Sequence, residues 1–127
     1  MRQAALFASL LALLFPACLA VAAGVGAGVI LSQEMDNNTY VAHVQQDADL
    51  VWATAKASLS HQTTELIQTD EDLRVAEGLV DNARVRVSVE VYDLDRSVLR
   101  VSAKKYGVNN GEIAEMVMQS IIRQIES

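Results

Sequence analysis

Few side chains in this sequence are of the types that do chemistry, and most of those stand apart. Cys18 is the only cysteine, and its thiol can form a thioether to a lipid. His43 and His61 are the only histidines and lie eighteen positions apart, so a zinc site would need several carboxylates to join them. Asp70, Glu71 and Asp72, with Asp93 and Asp95, offer the oxygen donors that calcium takes, but lack the spacing and the glycine of a calcium loop. Ser58, Ser60 and His61 are too close in sequence to imply a nucleophile and its base. Arg84, Arg86, Arg100, Lys104 and Lys105 form the one concentration of cations, suited to an acidic polymer, a lipid headgroup or a partner protein, with Glu77 and Glu90 placed to neutralise part of it. No catalytic residue, metal site or cofactor is predicted.

Composition narrows the choice further. The 127 residues suffice for one domain, with a formal charge of −6. Setting aside Arg2, the remaining chain holds 16 acidic residues against 10 − 1 = 9 basic ones. A nucleic-acid partner would require a broad basic surface and is not expected. Beyond Cys18 there is no cysteine, so the folded part relies on packing and hydrogen bonds rather than disulfides.

Cys18 lies in an apolar leader. Residues 1–20, "MRQAALFASLLALLFPACLA", have a positive start at Arg2, an apolar stretch and small residues near a possible cut, the three parts of an export signal. The uncharged run continues to Leu31, 28 residues from Ala4, which is enough to cross a bilayer. Three outcomes follow: cleavage before Cys18 with acylation of its thiol, cleavage after Ala20 or Ala22 with release, or retention as a single span. All three deliver the domain outside the cytoplasm. Acylation is the leading expectation, since two or three acyl chains anchor stably. Residues 21–38 read as a small-residue spacer, within which "GVGAG" follows no strand of a βαβ unit and is not a phosphate loop.

The domain is expected over 39–127. A strand over 39–45 places Tyr40, Ala42 and Val44 on one side, and Asp47 then caps a helix whose stripe is Val51, Ala55 and Leu59, widened by Trp52. Strands are predicted near 63–69, over 73–80, over 83–92, where four valines alternate with Arg84, Arg86, Ser88 and Glu90, and over 97–106. Asp81-Asn82 suits a two-residue turn and sets Ala76 opposite Val87 and Glu77 opposite Arg86. Matching apolar faces sets Val91 opposite Leu99, Val89 opposite Val101, Val87 opposite Ala103 and Glu90 opposite Arg100. A last helix has Asn109 as cap, Glu112 three residues on, and Ile113, Val117, Ile121 and Ile125 down one face. The predicted class is α+β: an antiparallel meander sheet with two helices on one face, preceded by the apolar leader.

The order of these features, "CLAVAAGVGAGV", then "VWATAKASL", then "RVSAKKYGVNNGEIAEMVMQSIIRQI", resembles the small bacterial envelope lipoproteins of domain of unknown function family 3568. The resemblance spans nearly the whole chain and implies a lipoprotein-like envelope protein without an assigned active site. Phe15 and Pro16 depart from the pattern before the lipidated cysteine. The expected function is a non-enzymatic binding or structural component of the envelope, held to membrane lipid through an acyl anchor and facing the periplasm, with an envelope protein as partner. The uncharged Leu19 points to the outer membrane. The alternative is a secreted or single-span periplasmic ligand-binding module, with an apolar cavity between sheet and helices.

Overall fold

Alternation of valine with charged and polar residues in the middle of the chain builds a sheet that is apolar on one face only. In a computed structural model, residues 30–33 and 39–127 are described. The elements are β1 (Ile30–Gln33), β2 (Thr39–Val44), α1 (Ala48–Gln62), β3 (Gln68–Asp70), β4 (Val75–Val80), β5 (Ala83–Asp93), β6 (Arg96–Lys105), β7 (Val108–Asn109) and α2 (Gly111–Glu126). The strands form one antiparallel sheet in the order β1-β2-β6-β5-β4-β3, with β7 added to the end of β6. The class is α+β, with both helices on the valine face.

That face is the core. Val85, Val87 and Val89 of β5, Leu99, Val101 and Ala103 of β6, and Ala42 and Val44 of β2 are buried against Val51, Ala55 and Leu59 of α1 and Val117, Met118, Ile121 and Ile125 of α2. Each fully buried aliphatic side chain contributes roughly 1.5–3 kcal/mol, and the alternation leaves the opposite positions of β5 solvated.

Local chemistry sets the helix ends. Asp47 Oδ1 accepts from the Leu50 N–H at 2.9 Å and starts α1 as expected. Its other end closes where Thr63 N–H donates to the Leu59 carbonyl at 3.2 Å. The Thr63 hydroxyl donates to Ser60 and Glu65 carbonyls, so 63–67 is loop and the strand expected near 63–69 shrinks to Gln68–Asp70. The strand expected from Leu73 starts at Val75, because Asp70 Oδ1 accepts from the N–H groups of Asp72 and Leu73 and Arg74 turns with φ +51°. The cap of α2 is Asn110, not Asn109: Val108 and Asn109 pair with β6 as β7, and Asn110 Oδ1 accepts from Ile113 N–H at 3.0 Å.

The two hairpins divide the register expectations. Asp81 and Asn82 have φ of +50° and +65°, and the pairs Ala76–Val87 and Glu77–Arg86 form as expected. The β5–β6 pairing lies two residues away from the expectation: Val89 faces Leu99, Val87 faces Val101 and Val85 faces Ala103. An even slip keeps every side chain on its own face. The cause is a shorter loop, Leu94-Asp95, closed by Asp93, whose Oδ2 accepts from Arg96 Nε at 2.7 Å and whose Oδ1 accepts from Asp95 N–H at 3.0 Å. Neither loop residue has positive φ, so the turn lacks the twist of a mirror-image hairpin, and the irregularity between Val91 and Asp93 absorbs the mismatch.

A further difference concerns the domain's start. Residues 30–33, expected in the spacer, pair with β2, from Ile30 opposite His43 to Gln33 opposite Tyr40. The folded unit thus takes in the last residues of the apolar run.

Candidate functional site

The cations expected to cluster are sorted by the alternation of the strands that carry them. Arg84, Arg86, Arg100 and Lys104 project from the outer face, away from both helices, whereas Lys105 has the opposite parity and leaves the cluster, its ammonium 5.9 Å from the Tyr106 ring. Arg100 leaves it as well. Its Nη1 lies 2.6 Å from Glu90 Oε1, so the expected charge pair forms, reaching diagonally across the strands rather than straight.

What stays together is Arg84 and Arg86 around a single carboxylate, with Lys104 beside Arg84. Glu77 lies 3.0 Å from Arg86 Nη1 and 3.7 Å from Arg84 Nη1. Arg84 faces Lys104 directly across the β5–β6 pair. Like charges at such positions cost stability, and no acidic side chain among the described residues pairs with Lys104. The three cations are exposed, on a chain whose overall charge is negative. An arrangement of this kind can hold a multivalent anion through charge-assisted hydrogen bonds.

The remaining candidates do not converge. His43 is exposed on β2 and His61 in the last turn of α1, and among the described residues no group of three metal-ligating side chains is present. Ser58, His61, Ser120 and Arg123 border a shallow groove at the helix C-termini. Ser58 Oγ is engaged by the Gln62 amide at 3.2 Å and Ser120 Oγ by Arg123 at 3.1 Å, so neither hydroxyl is aligned on His61. Asp70 and Asp93 spend their oxygens closing turns.

One cluster has no signal in the sequence pattern. Glu71 accepts from Trp52 Nε1 at 2.6 Å and from Lys56 Nζ at 2.9 Å, while Lys56 lies 4.9 Å from the centroid of the Trp52 ring. The hydrogen bonds from Lys56 and Trp52 hold the Glu71 carboxyl below the usual glutamate range. These contacts tie the 70–74 turn to α1, nineteen residues back for Trp52 and fifteen for Lys56.

Cys18, the 1–20 leader and residues 21–29 of the spacer lie outside the described residues. No helix among the described residues is long and apolar enough to cross a membrane. Compared with known proteins, the chain matches no family model and no curated sequence.

Proposed function

We propose that this chain is a cell-envelope lipoprotein: cut before Cys18, acylated on that thiol, and holding its α+β domain on the periplasmic side of a membrane as a non-enzymatic binding component. The leader with its lone cysteine supports the anchor, and so does the resemblance to the envelope lipoproteins of domain of unknown function family 3568. The binding role rests on a single observation, that Arg84, Arg86 and Lys104 stand together on a solvated sheet face where the one paired carboxylate, Glu77, engages only the two arginines. Their partner is an acidic surface of another envelope component. A core filled by Leu59, Leu99, Met118 and Ile121 supports this reading over a module that encloses its ligand between sheet and helices.

Metabolic labelling with a fatty acid tests the anchor. The full chain is expected to incorporate label and sediment with membranes, and Cys18→Ser is expected to lose both. Label persisting in Cys18→Ser, or a mature protein beginning beyond residue 18, would show another mode of attachment.

A further inference from the structure

The direction in which the chain enters the sheet distinguishes its two ends. Ile30 pairs with His43, His43 with Val98 and Val98 with Glu90, so the leader joins the domain at the end that carries the Leu94-Asp95 hairpin. The first turn of α1 lies at the same end, tied by Asp49 to Arg74 at 2.8 Å. Among the residues shown to solvent there, five are large and apolar: Leu94 is 90% exposed, Leu73 68%, Tyr92 61%, Val91 58% and Leu50 51%. The hairpin is braced to present them. Arg96 pairs with Asp93 and stands 4.6 Å from the centroid of the Tyr92 ring, a tyrosine-arginine combination suited to a lipid interface.

We propose that this end, led by Tyr92 and Leu94, is a lipid-docking surface that rests in the interface of the membrane holding the acylated Cys18; the inference rests on the anchored reading above. Eleven residues, 19–29, separate Cys18 from Ile30 and reach at most roughly 36–40 Å. Docking the Leu94 end uses little of that reach. Turning the domain over would use about 23 Å of it, the span from the Glu90 level to Ala83, more than half of the full reach, and would restrict the tether to its more extended conformations. Large apolar residues are exposed at the far end too, Tyr106 among them at 85%, which makes that end a matched control. Asp47, Asp49, Asp93 and Asp95, with Asp70, Glu71 and Asp72 beside Leu73, outnumber Arg74 and Arg96 near the docking end, so apolar contact rather than attraction to anionic lipid seats it.

The mature chain, beginning at the acylated Cys18, is reconstituted into phosphatidylcholine vesicles brominated in the acyl chains, as Leu94→Trp and as Tyr106→Trp. Trp52, the only native tryptophan and 5% exposed, is a constant background. Both variants are expected to float with the vesicles. The indole emission added by Leu94→Trp is expected to be quenched at least about twofold more than that added by Tyr106→Trp, since an interfacial side chain sits roughly 5–10 Å into the headgroup and acyl boundary. In a Tyr92→Trp chain, adding Leu94→Asp is expected to abolish quenching without changing flotation. Flotation with equal quenching in the two single variants would overturn the docking surface and leave the anchor standing. Failure to float would overturn the anchor, and the docking surface with it.

Discussion

Trp52 carries a polar N–H into a site where the residue is only 5% exposed, and that N–H finds its acceptor in Glu71, from the turn that precedes β4. Neither residue announces the other: Trp52 reads as core from its helix stripe and Glu71 as a solvated turn charge, and a contact across nineteen positions has no local periodicity to reveal it. The pairing has a pH signature with a definite sign. The folded carboxyl titrates below its ordinary value of 4.5, so its stabilising effect is complete above that pH and is lost as pH falls through the depressed value. Glu71→Gln is expected to lower the melting temperature at neutral pH, with the gap closing as the pH falls below 4.5 and the native carboxyl protonates. Melts of both proteins across that range check this, with Trp52 emission reporting the change around the indole. A gap that stays constant with pH would show that the charge of Glu71 has no part in it.

At the scale of elements, what was legible followed from short-range geometry. Asp81-Asn82 tolerates positive φ, and the hairpin it closes has the expected register. The next turn contains no residue pair with that signature. Its register came out two residues away, decided by Asp93 and Arg96 side chains that periodicity does not register. Both helices and the face they bury were readable from their apolar stripes, while the cap of α2 and the edge strand β1 depended on neighbouring strands and were not. Gly78 joins the two levels. It leaves room on the inner face, and what fills that room is the end of α1 and the loop after it: a Cβ there would lie 2.8 Å from Thr63 Cγ2 and 3.1 Å from Ile67 Cγ2. Thr63 cannot rotate away without losing the hydroxyl contacts that close the helix. Gly78→Ala is therefore expected to destabilise by about 1–3 kcal/mol in urea melts. Thr63→Ser, which removes the offending methyl and keeps the hydroxyl, is expected to recover part of that loss in the double variant, and additive losses would place the strain elsewhere.

Across the whole molecule, charge is distributed along the strands: aspartates gather at the end where the leader joins, and Arg84, Arg86 and Lys104 lie towards the other. A domain tethered at Ile30 would hold these cations away from its own membrane, which favours an acidic partner over a lipid headgroup as their target. If this site binds an acidic partner, folding and binding make opposite demands on it. Arg84 opposite Lys104 is a like-charge pair, destabilising by roughly 0.2–1 kcal/mol, and Lys104→Glu turns it into an attraction. If the cations serve only to solvate the sheet, Lys104→Glu alters stability alone. If they form a binding face, the same change is expected to raise the melting temperature slightly while weakening association with poly-glutamate several-fold, and added salt is expected to narrow the difference between native and variant chains. Isothermal titration at low and moderate ionic strength, alongside thermal melts, separates these outcomes. A variant that gains stability and keeps its affinity would remove Lys104 from the binding face, whereas opposite movements of the two would show that the repulsion across β5 and β6 is retained for a ligand to relieve.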